Sequence, residues 1–97
     1  MACQVILEFD IKPECMEQLG VWIAHTLPAT RNFEGCVNVT VAQNQDRPAE
    51  VIIVQHWISR QRYIEFLDWR KQTGVFAALL AMINSEPRLR FFDYFAV

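Results

Sequence analysis

Residues 49–70 read AEVIIVQHWISRQRYIEFLDWR, and the fold turns on the change of period inside that stretch. Val51, Ile53, Gln55 and Trp57 fall on one side of a two-residue repeat and Ile52, Val54 and His56 on the other, so both faces of this strand carry apolar side chains. Such a strand is expected to be covered on both sides. Ser59 follows, where a hydroxyl caps the first turn of a helix. That puts Trp57 at the exit of the strand and Tyr63 about one turn into the helix, at the kind of corner where small sheets form pockets.

Upstream, residues 4–11 alternate Val5, Leu7, Phe9 and Ile11 against Gln4, Ile6, Glu8 and Asp10, which gives a first strand. Lys12-Pro13-Glu14 opens a helix with proline at its first position, and Met16, Leu19, Gly20, Ile23 and Leu27 form the stripe of a helix packed on a sheet. Pro28 is expected to kink or end that helix, with a short turn over residues 29–33 before Gly35. Residues 36–43 give a second strand whose inward face is Val37, Val39 and Val41. The polar run Asn44-Gln45-Asp46-Arg47-Pro48 is short enough for a hairpin, making strands two and three antiparallel neighbours.

Downstream, Thr73-Gly74 reads as a helix stop, after which Val75, Phe76, Leu79, Leu80 and Ile83 make a further helical stripe. Asn84-Ser85-Glu86-Pro87 ends it, and residues 88–97 read as a last strand with Phe91 and Phe95 on one side, Phe92 and Tyr94 on the other. The order is β-α-β-β-α-β with the second helical region broken in two. This predicts an α+β, ferredoxin-like fold: a four-stranded antiparallel sheet with helices on one face.

Composition narrows the function classes. The 97 residues are expected to form one domain spanning 1–97. A hydrophobic fraction of 53% is high for that size and points to a partner surface, most simply a second copy of the chain on the helix-free face of the sheet. Net charge is −2 and the nine lysines and arginines are scattered, so no electrostatic footprint for nucleic acid is visible. No apolar run approaches the roughly 20 residues of a membrane span, and MACQVILEFD lacks the charged and apolar regions of a secretory signal; a cytoplasmic protein is expected. Cys3, Cys15 and Cys36 have neither the number nor the spacing of a disulfide framework or a zinc site, and are expected to be small buried or half-buried thiols. An RNA-recognition sheet needs aromatic and basic residues that CQVILEFDI and EVIIVQHWI do not supply. A metal chaperone needs paired cysteines where Ile11-Lys12-Pro13-Glu14-Cys15 stands.

Three segments together carry a resemblance: Asp10-Ile11-Lys12-Pro13-Glu14, then Thr30-Arg31-Asn32-Phe33-Glu34-Gly35-Cys36, then Gln55-His56-Trp57-Ile58-Ser59. In order and spacing the chain resembles the antibiotic biosynthesis monooxygenase domain family. Its members are dimeric α+β barrels with a Lys-Pro-Gly-like first turn, an Arg-x-x-x-Gly-Cys approach to the second strand and a Glu-x-Trp third strand. The resemblance covers nearly the whole chain. It implies a homodimer with a pocket between sheet and helices in each subunit, and for some relatives oxidation of aromatic quinols or polyketide intermediates by molecular oxygen without metal or flavin.

Carried over residue by residue, the resemblance gives Trp57 as the family tryptophan at the end of strand three and Tyr63 as the tyrosine that some polyketide-oxidising members set over the substrate ring. These two are the expected catalytic residues, with Gln55, Phe66, Trp69 and Arg70 as expected substrate-binding residues around a small aromatic or apolar ligand. The departures are specific. Gln55 stands where the family glutamate is usual and Ile53 where polyketide oxidisers carry asparagine; Phe66 and Lys71 stand near the histidines of quinol oxidisers. The haem-degrading branch needs a first-strand asparagine, where Val5, Ile6 and Leu7 stand, and a late helical histidine, where Leu79 and Leu80 stand; that activity is the least favoured.

Simpler roles stand beside these. Trp57 can close the barrel mouth as a core residue, Tyr63 can pack with its hydroxyl wet, and His25 reads as a surface histidine. His56 faces away from Trp57, toward the expected dimer interface. Arg70 is expected to pair with Asp68 or Glu65 rather than with a substrate anion, and Trp22 to cover a subunit edge. Two functions of different class follow: a cofactor-independent monooxygenase acting on an electron-rich quinol or polyketide-like aromatic, or a non-catalytic dimeric module that binds a small ligand or only assembles.

Overall fold

A computed structural model describes residues 2–96 of the chain. Strands β1 (Cys3–Asp10), β2 (Cys36–Gln43), β3 (Glu50–Trp57) and β4 (Arg88–Phe92) form one antiparallel sheet in the order β2-β3-β1-β4. A 3-10 turn at Pro13–Cys15 leads into α1 (Met16–Asn32), while α2 (Arg60–Gln72) and α3 (Val75–Leu80) fill the second crossover. This is the ferredoxin-like α+β fold expected from the element order. Among the described residues no helix is long and apolar enough to cross a membrane.

The two central strands bury alternate residues, as the two-residue period dictates. Cys3, Val5, Leu7 and Phe9 of β1 and Val51, Ile53, Gln55 and Trp57 of β3 point under the helices. Their register sets Val5 opposite Gln55 and Leu7 opposite Ile53, with Val39 and Val41 completing the rows from β2. On the other face Ile6, Ile52 and Val54 are half-buried, but the β4 row there is Arg88, Arg90 and Phe92 by register. Glu8 pairs with Arg88 at 3.6 Å and with Arg90. The helix-free face is thus apolar at its centre and charged toward β4, rather than greasy throughout as the aromatic run suggested.

Three local expectations are corrected. Helix α1 runs through Pro28 to Asn32. Proline inside a helix costs about 3 kcal/mol of propensity, but Thr26 donates to the Trp22 carbonyl at 2.8 Å and Thr30 to that of Thr26 at 2.9 Å, and Leu19, Thr26 and Thr30 are buried. Packing outweighs the local rule. In β2 a bulge between Cys36 and Asn38 shifts the register by one residue, so Val37 is 58% exposed while Val39 is buried. The last strand ends at Phe92, which faces Gln4, one residue short of the start of β1 at Cys3. Phe95 is fully exposed, and Val97 lies outside the described residues.

Gly35 ties the two halves together. It has φ +100° and its carbonyl accepts from the Ile58 N–H at 2.9 Å, while a Cβ there would meet Cβ and Cγ of Arg62 at 2.8 Å. Both the backbone and the neighbour resist any side chain. Gly35→Ala is expected to lower stability by about 1–3 kcal/mol, read as a drop in the urea midpoint; an unchanged midpoint would show that α2 yields to the methyl group.

Candidate functional site

Between the sheet and the three helices lies a cavity of about 50 Å³, room for roughly three to five waters at ~10–15 Å³ each. Its floor includes Leu7, Val39, Ile53 and Gln55; α1 contributes Trp22, Thr26, Leu27 and Thr30; α2 contributes Tyr63, Phe66, Leu67 and Arg70; Val75, Phe76 and Leu79 close the end. The α2 residues follow the three- and four-residue spacing of one helix face. That face begins where Ser59 accepts the Arg62 N–H at 3.2 Å, the cap expected from the sequence.

Gln55, Tyr63, Phe66 and Arg70, four of the residues singled out in the sequence, meet in this cavity. Trp57 does not line it. It is wholly buried (0% exposed) behind the lining, edge-on to Tyr63 at 5.7 Å and tilted on Phe66 at 5.1 Å. Its indole N–H donates to Gln55 Oε1 at 3.0 Å. Because an indole nitrogen only donates, the bond fixes which end of the amide is oxygen and leaves the Gln55 NH₂ as the donor end, with Tyr63 as a hydrogen-bond partner. Trp69 also lies outside the cavity, 36% exposed, stacked on Phe33 at 5.6 Å and on the Arg70 guanidinium at 4.4 Å.

Burial pushes the Tyr63 phenol well above its ordinary range, and hydrogen bonding with Gln55 offsets only part of the rise. Tyr63 is therefore a neutral hydroxyl at physiological pH. Arg70 is 8% exposed, and desolvation lowers its pKa, though a guanidinium stays charged. Its Nη2 donates to the Thr26 carbonyl at 2.9 Å and the Thr30 hydroxyl at 3.3 Å. The expected pairing with Asp68 or Glu65 is absent. Glu65 instead pairs with Arg62 at 3.3 Å, and among the described residues no carboxylate lies within 4 Å of Arg70.

Trp22, assigned from the sequence to a subunit edge, lines the cavity and donates from Nε1 to the Val75 carbonyl at 3.0 Å. Neither Thr26 nor Thr30 was expected in the site from the sequence, although Trp22, Thr26 and Thr30 recur every four residues, the signature of one helix face. His25 is exposed, and His56 lies on the helix-free face against Tyr94 at 4.9 Å. The three cysteines are free. Among the described residues no group of three or more histidines, cysteines and acidic side chains could hold a metal ion.

A ferredoxin-like sheet with an apolar hollow under its helices and a few convergent donors defines a class of small α+β domains. The family model described as antibiotic biosynthesis monooxygenase matches residues 3–78, and the chain belongs to that family. A conserved protein from Methanosarcina mazei Go1 superposes with TM-score 0.88 at 17% identity, covering 95% of this chain and 91% of its own. Rv0793 from Mycobacterium tuberculosis gives 0.88 at 15%, covering 100% and 98%. SnoaB, a cofactor-independent oxygenase from Streptomyces nogalater, gives 0.85 at 14%, covering 99% and 95%. At such identities these are likenesses of fold. No curated protein sequence matches the chain.

Proposed function

We propose that the protein is a cofactor-independent monooxygenase acting on an electron-rich aromatic of the quinol or polyketide type. The observation that carries this is the Trp57–Gln55 hydrogen bond at 3.0 Å, which sets an amide donor in the lining of a mostly apolar cavity in a chain of this family. The likeness to SnoaB supports the same chemistry.

For an anthrone the balance is one ring CH₂ plus one O₂ giving one C=O plus one H₂O. The ionised ring passes one electron to O₂, the radical pair joins through carbon and oxygen, and the hydroperoxide loses water. The chain's part is to hold the ring flat, donate to its oxygen from Gln55 and Tyr63, and keep bulk water from the radical pair. Among the described residues no carboxylate or histidine lines the cavity, and Tyr63 retains its proton, so the substrate ionises to solvent as it enters. The cavity is smaller than the ~150 Å³ that admits benzene, so entry requires a covering element to move outward, and α3, six residues after Gly74, is the shortest. In this reading Trp57 positions Gln55 rather than touching the ring, and Trp69 backs Arg70. A homodimer belongs to it as well, through the half-buried Ile6, Ile52 and Val54 on the helix-free face.

Oxygen uptake with a panel of hydroquinones and anthrones tests it. One O₂ consumed per anthrone oxidised is expected, with Trp57→Phe and Tyr63→Phe each slower by roughly tenfold, the worth of one hydrogen bond of ~1.4 kcal/mol in the transition state. Rates unmoved by both changes would remove these residues from the site. No uptake with any substrate would leave the non-catalytic binding module, which the cavity's lack of a base favours.

A further inference from the structure

Arg70 has a feature the oxygen chemistry does not use. A guanidinium this deeply buried normally faces a carboxylate, yet the two acceptors of Arg70 are both neutral and both bind Nη2. Its Nε–H and Nη1 donors find no acceptor among the described residues, and neither atom is sealed from water as Arg90 Nε is. The aromatic faces of Trp69 at 4.4 Å and Phe66 at 5.3 Å hold the cation in place without neutralising it.

The surrounding charges reinforce the imbalance. On α2, Lys71 stands 6.0 Å from the centre of the Phe76 ring, and Glu65 is engaged by Arg62; Asp68 is exposed. On α1, Arg31 reaches the Val39 carbonyl. Tyr63 is the one other titratable group in the lining. Thr26 and Thr30 spend their hydroxyl protons on α1 carbonyls, and Gln55 presents its NH₂ because Trp57 occupies its oxygen. Arg70 thus brings unused donors and a net positive charge to a lining that includes Leu7, Ile53, Phe66 and Phe76. A cation is repelled there, and a neutral ligand leaves the guanidinium uncompensated.

We infer that the cavity takes its ligand as an anion, a small aromatic phenolate or carboxylate whose oxygen fills the free donors of Arg70 while its ring occupies the apolar space. This rests on reading the cavity as the substrate site and names the class of substrate; it does not depend on the oxygen step.

The test uses the whole chain and neutral–anionic probe pairs. Benzoate is expected to bind at least ~10-fold tighter than benzamide by calorimetry, and 4-nitrophenol to ionise about one pH unit lower when bound, the same tenfold preference for the anion. The tighter of the two anions tells carboxylate from phenolate. Arg70→Gln is expected to erase the preference while benzamide still binds, and Arg70→Lys to keep part of it. Should Arg70→Gln fail to fold, the wild-type comparison decides alone. Equal binding of benzoate and benzamide with an unmoved nitrophenol titration, or binding of neither anion, overturns the inference. Anion preference without oxygen uptake would instead reject only the oxygenase; uptake without anion preference would reject only this inference.

Discussion

Trp57→Ala is expected to remove about 3–5 kcal/mol of folding stability, the range for emptying a buried large aromatic site. Domains of this kind hold only about 5–15 kcal/mol in total, so the variant should unfold at far lower urea than wild type. The size of the effect follows from where the indole sits. It is 0% exposed and fills the centre of a cluster with Cys3, Val5, Tyr63, Phe66 and Leu67, its ring 6.0 Å from Phe33 and 5.1 Å from Phe66. Removal would also strip the partner from Gln55 Oε1, a buried acceptor, which puts the cost toward the upper end of that range. Trp57→Phe separates the two contributions, since it keeps most of the ring and loses the N–H. Its cost should be about 1–2 kcal/mol. An alanine variant within 1 kcal/mol of wild type would mean that the cluster collapses around the gap, and that Trp57 does not hold this end of the sheet to α2.

The fold was legible where side-chain period and burial coincide. In β1 and β3 the alternation of aliphatic residues is the burial pattern itself, and the order of elements then leaves little choice of topology. The failures all lie where a distant element decides. Nothing near Pro28 shows that Thr26 and Thr30 will be locked under α2, with the Arg70 guanidinium on the Thr26 carbonyl at 2.9 Å, so the local rule for proline, a kink or an end, did not show that α1 continues to Asn32. Val37, Val39 and Val41 look alike, and a bulge that turns the first of them outward leaves no trace in a run of valines. Residues 93–96 alternate as a strand would, but pairing with β1 stops where Phe92 faces Gln4.

The candidate site was half legible for the same reason. Tyr63, Phe66 and Arg70 share a face by helical spacing, and Gln55 faces them because it is in phase with Val51 and Ile53. The sequence shows Arg70 near Asp68 and Glu65 but not that α1 will draw it inward, away from both. Trp57 and Gln55 are two residues apart on one strand face, close enough for the indole to reach the amide. That bond turns a residue that is no base into an oriented donor, a role that identity alone does not reveal.

Tyr63 should make the protein fragile to alkali in a way that one substitution cures. Below about pH 10 the phenol carries its proton in both the folded and the unfolded chain, and pH does not act on stability through it. Above that, the unfolded chain releases the proton while burial makes the folded chain keep it, so the unfolded state binds fewer protons and stability falls as pH rises. The slope is about 1.4 kcal/mol per pH unit, the worth of one proton, until the folded phenol itself titrates. Tyr63→Phe removes this slope and leaves every other titrating group in place. Urea unfolding at a series of pH values should therefore show wild type losing stability faster than the variant from about pH 10 upward, the difference growing with each unit. Parallel curves would mean that water reaches the phenol in the folded chain. In that case Tyr63 would not be the closed-off neutral donor that the cavity chemistry requires.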